Sequence, residues 1–289
     1  ASEGAGLGNK FLANIREVST IVQLLRCFDD TEETIIEHVD GSVDPVRDLD
    51  TIETELMLAD IQTLSKHTTK NKRVAAKAPA EAALVEKVMA QLDAGKPARD
   101  LMLKEEEVKA FRELRLLSAK PLLLVCNVSE SGLAGNVHVK KLEEHLKATR
   151  EEGAVELITV CSTLEAELST MGGDEESKTE MLQEYGLDDT GLSRVIAASN
   201  QLLGLGTFYT VGPQEARAWP FPKGYTAPQA AAIIHTDMER GFIRAETIAY
   251  DDYVALGGEA QCKAAGKLRL EGKEYVCQDG DVYMFRFNV

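Results

Sequence analysis

No apolar run in this 289-residue sequence approaches the roughly twenty residues needed to cross a bilayer, so no membrane partner is expected. Cysteine is sparse: Cys27, Cys126, Cys161, Cys262 and Cys277 are odd in number, scattered, and form no C-x-x-C pair. That spacing speaks against a cysteine zinc cage and for a reduced, cytoplasmic compartment. Positive charge is also short, with 32 basic residues against 48 acidic ones and a formal net charge of -16. A surface of that sign does not bind nucleic acid indiscriminately, and no DNA partner is expected. The glycine-rich start has neither a basic nor an apolar block, so no signal peptide is expected there. It lacks an initiator methionine, and we expect the chain to begin inside a longer protein. One further absence matters most. No G-x-x-x-x-G-K-[ST] phosphate loop occurs, and Ala265-Gly266-Lys267-Leu268 has the wrong context for one.

What is present begins with KPLLLVCNVSE, residues 120–130. Its unbroken apolar run, Leu122 to Cys126, is too short for a helix and predicts a buried strand of a parallel sheet. Similar runs at 20–25 and 155–160, with a helical pattern over 139–150, make a βαβ unit. Helices are expected also over 11–18 and 191–203. From 48 to 117 nothing alternates at period two. Ile52, Leu56, Ala59 and Leu64 share one helical face, and Leu84, Val88 and Leu92 share another, with Pro79 opening the second helix. This predicts an inserted antiparallel helical hairpin. Its tip reads KHTTKNKRVAAK, in which Lys66, Lys70, Lys72, Arg73 and Lys77 form a local basic patch without an acid. After Gly206, strand-like runs at 207–211 and 216–220, a helix opening at Ala227-Pro228, and β-like segments at 275–277 and 282–287 predict a small α+β module of β-grasp type.

The fold class expected is therefore α/β, an open and mostly parallel sheet whose first strands are absent, with a helical hairpin and a C-terminal β-grasp domain. The division expected is 1–50 with 115–206 for the sheet domain, 51–114 for the hairpin and 207–289 for the β-grasp part.

Asn127-Val128-Ser129-Glu130 follows the central strand, where ligands bind in open α/β sheets. An asparagine amide can donate to a purine N7 and accept from adenine's amino group. An aspartate three positions on would suit guanine, whose N1–H and N2–H2 are two adjacent donors. Glu130 is one methylene longer, so Asn127 can hold adenine while Glu130 is poorly matched to guanine. The plain alternative is an asparagine that only caps a loop. The next strand ends in CSTLE, whose turn at Ser162 and Thr163 can present backbone N–H groups to the same place.

On GAGLGNKFLANIRE, HVDGSVDPVRDLDTI, NVSE, CSTLEAEL and the C-terminal APQAAAIIHTDMERGFIRAE and AAGKLRLEGKEYVCQDGDVYMFRFNV, the chain resembles the YchF / Obg-like ATPase family over essentially its whole length. The resemblance implies a P-loop NTPase of the Obg branch that prefers ATP to GTP, with a C-terminal TGS domain. It assigns Asn127, Val128 and Glu130 to the base, with Ser162 and Thr163 in the adjoining loop. Gly4, Gly6, Gly8 and Asn9 fall in the switch II region. The family's Walker A loop and D-x-x-G segment lie N-terminal to that region, so the catalytic residues and the ligands of Mg2+ are expected upstream of Ala1. These residues alone are expected to hydrolyse nothing. A monomer coupling ATP (or GTP) state to ribosome or RNA binding is expected; the alternative is a non-catalytic scaffold that nucleotide merely stabilises.

Overall fold

A computed structural model describes residues 7–29, 38, 41–70, 79–151 and 153–288, the side chains of 7, 9 and 67–70 excepted. The chain divides into two compact units, Ala1–Ser199 and Asn200–Val289.

The first unit is built on a parallel sheet in the order β1-β2-β3, from β1 (Ile21–Arg26), β2 (Leu122–Asn127) and β3 (Glu156–Val160). The central strand is buried from Leu122 to Cys126, which is why it reads as a continuous apolar run rather than an alternating one. Leu122, Leu124 and Cys126 face a core shared with Leu25, Cys27, Leu49, Val139 and Leu142. Burying each such leucine contributes about 1.5–3 kcal/mol. The crossover helix α5 (Val137–Thr149) starts at Asn136, whose Oδ1 accepts from the N–H groups of His138 (2.8 Å) and Val139 (3.1 Å). The same side chain donates through Nδ2 to the Cys27 carbonyl at 2.7 Å, fixing the helix to the end of β1.

The long helix α2 (Pro45–Lys70) serves three cores in succession. Leu49 belongs to the sheet core. Leu56 and Ala59 pack on Leu12 and Ile15 of α1 (Leu7–Glu17). Met57 and Leu64 join Leu84, Val88 and Leu92 of α3 (Pro79–Asp93), so the expected helical hairpin is present. Buried Asp60 ties α2 to the chain entering β2. Its carboxylate accepts from the N–H groups of Leu117 and Ser118, both at 2.8 Å, and from the Ser118 hydroxyl at 2.6 Å. A short helix α4 (Glu105–Glu113) returns the chain to the sheet. After β3 come α6 (Ser162–Thr170), α7 (Glu175–Glu184) and α8 (Gly191–Leu202).

The second unit holds a mixed sheet in the order β5-β4-β8-β6-β7. Its strands are β4 (Leu205–Val211), β5 (Ala216–Pro222), β6 (Phe242–Ala249), β7 (Arg269–Glu271) and β8 (Asp281–Phe287). The first two form the expected hairpin, closed by Gly212 N–H to the Glu215 carbonyl at 2.8 Å. The edge strand β5 tolerates Pro220 and Pro222, because an edge leaves half its N–H groups without a ladder partner. The last strand runs parallel to the first, Tyr209 opposite Val282, which with a helix across the sheet is β-grasp topology. That helix, α9 (Ala227–Ile234), buries Ala227, Ala230 and Ala231 completely, so small side chains let it lie close to Phe208, Phe221 and Tyr283. The fold class is α/β as expected.

Several short elements were not anticipated: α10 (Thr236–Arg240), α11 (Tyr250–Leu256), α12 (Glu259–Ala264), β6 and β7. Residues 275–277 are not a strand. They make one bridge, Thr226 to Val276, and exchange backbone bonds with Tyr225 and Ala227 at 2.9 Å. Of the basic patch, Lys66 is exposed on α2 and Lys70 ends that helix, while Lys72, Arg73 and Lys77 lie outside the described residues. Gly4 and Gly6 also lie outside them; Gly8 and Asn9 are in the first turns of α1.

Candidate nucleotide-base site

The carboxyl ends of β2 and β3 deliver Asn127 and Ser162 to one place. The Asn127 Oδ1 accepts from the Ser162 N–H at 3.0 Å and from the Ser162 hydroxyl at 2.8 Å. Asn127 thus caps α6 from a neighbouring strand, 35 residues away in sequence. This alters the expected base contact. Both oxygen lone pairs are engaged, so the amide is left with its Nδ2 as a donor, which has no partner among the described residues. A donor at that point can serve a purine N7. It cannot also accept from an adenine amino group.

Val128, which the resemblance assigns to the base, is buried instead. Its side chain is only 2% exposed and packs in the sheet core, while its N–H donates to the Val160 carbonyl at 2.8 Å. The strand pleat turns residue 128 inward when 127 faces the site. Glu130 is exposed in a 3-10 turn over Glu130–Gly132, with Ser129 before it. Thr163 is exposed in the first turn of α6. Gly132 sits in a tight place: a Cβ there would lie 3.0 Å from both the Val128 Cβ and the Asn136 Nδ2.

Two partners of the site escaped the sequence reading. Tyr185, which ends α7, donates from its hydroxyl to the Glu130 carboxylate at 3.3 Å. It lies 55 residues from Glu130, and its only local signal is a helix stop at Gly186, whose φ of +69° ends α7 there. Glu165 of α6 accepts from the N–H groups of Gly191 (2.6 Å) and Leu192 (3.2 Å) and so caps α8. Gly191 has no room for a side chain, since a Cβ would meet Val160 at 2.8 Å. On the β1 side, the Arg26 guanidinium stacks over the Phe28 ring at 4.6 Å and donates to the Phe28 carbonyl at 3.0 Å. His235 makes a local bond instead of facing a site, its Nδ1 accepting from the Asp237 N–H at 3.1 Å. Trp219 packs against Phe208 and donates to Thr210 at 2.9 Å. All five cysteines are buried and free, and the described residues hold no cluster of three or more metal-ligating side chains.

Comparison with known proteins extends this picture. The family model YchF-GTPase_C, described as "Protein of unknown function (DUF933)", matches residues 205–288. The ribosome-binding ATPase YchF of Bacillus subtilis (strain 168) is 47% identical over 296 residues, covering all of this chain and 78% of that protein. The ribosome-binding ATPase YchF of Pasteurella multocida (strain Pm70) is 44% identical over 293 residues, again with 78% of its length covered. Among solved structures, the Schizosaccharomyces pombe YchF GTPase superposes with a TM-score of 0.83 at 34% identity, over 99% of this chain and 77% of that one. Identity at this level across both compact units, with the sheet and the mixed β unit reproduced, leads to one assignment. The chain belongs to the YchF family.

Proposed function

We propose that the chain carries the base-binding part of a nucleoside triphosphatase that accepts ATP in preference to GTP and couples nucleotide state to ribosome binding. The observation that carries this reading is the Asn127–Ser162 contact, which fixes one amide donor at the carboxyl ends of two adjacent parallel strands. Support for the partner comes from relatives named ribosome-binding ATPase at 44–47% identity. Residues 1–50 and 115–206 would form the nucleotide domain, 51–114 the arm, and 207–289 a TGS domain. Lys66, Lys70, Lys72, Arg73 and Lys77 would meet RNA phosphates, and the protein would act in the cytoplasm.

The residues fit a purine: an amide donor for N7, exposed Ser162 and Thr163 beside it, and a carboxylate at the rim. Mg2+ would neutralise charge on the phosphates, and this sequence contains no motif for holding it or them. Hydrolysis is therefore proposed of the whole protein. Because N7 is common to both purines, Asn127 supplies affinity without choosing between them.

Labelled ATP and GTP titrated against the full-length protein test this. Asn127→Ala is expected to weaken ATP about three- to tenfold, the order of the single hydrogen bond it offers to N7. Full ATP affinity in that variant would remove Asn127 from the site. Phosphate release is measured alongside, with and without ribosomes; no release under either condition would leave a nucleotide-stabilised scaffold instead of an enzyme.

A further inference from the structure

The Glu130 turn is clamped from two sides. On one side Gly132 lies against Val128 and Asn136, where an added Cβ would be tightly packed at 3.0 Å from each. On the other, Tyr185 and Leu133 belong to the same apolar cluster, formed with Leu164, Leu168 and Leu182. The ring of Tyr185 is thus anchored by packing and its hydroxyl is aimed at Glu130, 3.3 Å from Oε2. The end of α7 fixes that position: the Gly186 N–H bonds the Gln183 carbonyl at 3.0 Å, and the Leu187 N–H bonds the Leu182 carbonyl at 2.9 Å.

We infer that Tyr185 is a specificity-positioning residue, holding the Glu130 carboxylate away from the base so that guanine gains nothing from it. The chemistry is direct. A carboxylate free to reach the Watson–Crick edge of guanine would accept from its N1–H and N2–H2 donors, and the same carboxylate would be repelled by the N1 lone pair of adenine. With Asn127 restricted to N7, nothing else described at this site separates the two purines by charge. Partial desolvation, and then the negative charge of Glu130, hold the Tyr185 phenol above its usual range, so it stays a donor at neutral pH. The restraint works by denying guanine a contact, not by adding one for adenine.

This inference rests on the nucleotide reading above, and the test separates the two. Dissociation constants for ATP and GTP are measured on the full-length wild type, Tyr185→Phe, Glu130→Ala and the double variant, with melting temperatures. Tyr185→Phe keeps the ring in the apolar cluster with Leu164, Leu168 and Leu182 and removes only the hydroxyl. It is expected to lower the GTP-to-ATP ratio of dissociation constants about tenfold or more, the order of one hydrogen bond to a charged group. In the Glu130→Ala background the same change is expected to leave the ratio unaltered, because the group it restrains is gone. An unchanged ratio in Tyr185→Phe overturns the inference. So does an equal loss of both affinities, which would mark Tyr185 as structural only, and so does a ratio that still shifts without Glu130. A wild type with no preference for ATP removes the nucleotide reading itself, and the inference with it.

Discussion

Each compact unit buries a carboxylate hub, and the two hubs are built on opposite electrostatic plans. In the first unit, Glu53 of α2 lies between two guanidiniums, Arg99 after α3 and Arg150 at the end of α5, and Arg150 also pairs with Asp100 at 2.6 Å. The side chains of Glu53, Arg99 and Arg150 are 5%, 7% and 9% exposed, so four charges are matched almost out of water. In the second unit, Asp281 at the start of β8 is served mainly by neutral donors. The hydroxyls of Tyr275 (2.7 Å) and Tyr283 (2.8 Å) and the Gln278 N–H (3.3 Å) reach one oxygen, and Arg269 reaches the other at 2.9 Å. Buried ion clusters are unforgiving when a single member is removed, because the remaining charges lose their compensation. Hydroxyl-served hubs fail more gently, because a released hydroxyl is a smaller burden than a released charge.

The largest effect is therefore expected at Glu53. Glu53→Ala leaves Arg99 and Arg150 facing each other below the surface and is expected to cost about 3–5 kcal/mol. Adding Arg99→Met removes one stranded charge while keeping the Arg150–Asp100 pair, and the double variant is expected to be more stable than Glu53→Ala alone. One buried Arg99 nitrogen, Nη2, already lacks a partner among the described residues, which makes that arginine the easier one to give up. Trp219 is the single tryptophan and lies in the second unit, so its fluorescence follows that unit while helical circular dichroism follows mostly the first. In urea, Glu53→Ala should move the circular dichroism transition and leave that of Trp219 in place. A variant that unfolds at the wild-type midpoint would mean the cluster is hydrated and the contrast between the hubs is unreal.

Asp281 comes next. Asp281→Ala strands the buried Tyr283 hydroxyl and is expected to cost about 1–3 kcal/mol, read this time in the Trp219 transition. Tyr275→Phe removes a single donor from a carboxylate that keeps three others, and should cost about 1 kcal/mol. Burial first and Asp281 second hold the Tyr275 phenol up at about 12, so this hub is not expected to loosen in mild alkali. A loss for Asp281→Ala equal to that of Glu53→Ala would erase the distinction.

The ion cluster of the first unit was not legible in the sequence, and the reason is separation. Glu53 stands 46 residues from Arg99 and 97 from Arg150, and nothing local marks any of the three. What was legible obeyed local rules: the buried run at β2, the helical faces of α2 and α3, the turn at 212–215, and proline opening α9. Helices of five to seven residues such as α10, α11 and α12 span too few turns to show a period, and β7 has only three residues. The candidate base site was half legible. Asn127 and Ser162 were marked by strand ends, whereas Tyr185 came from a helix end with no motif. The inward turn of Val128 needed the strand's pleat, which the motif alone does not give.

The smallest effect concerns pH and lies on the surface of the second unit. Glu246 on β6 accepts from Arg286 across the strand pair at 2.9 Å and from Arg244 on its own strand at 3.2 Å. Arg286 first, and Arg244 with it, hold the Glu246 carboxyl below the usual glutamate range. A carboxylate whose folded value is depressed adds stability above its unfolded value of about 4.3, and that stability drains away as pH falls through the folded value. The arginines are half exposed, so the pair is worth only about 0.2–1 kcal/mol at neutral pH and less in high salt. Glu246→Gln cannot lose what it does not have. The stability gap between wild type and variant, followed through Trp219 from pH 7 downward, should therefore close below about pH 4. It should also shrink when sodium chloride is raised to about 1 M, where charges are screened within about 3 Å. A gap that stays constant across the acid range would mean that Glu246 acts through packing along the strand, and that charge in this unit does no more at its surface than a neutral amide would.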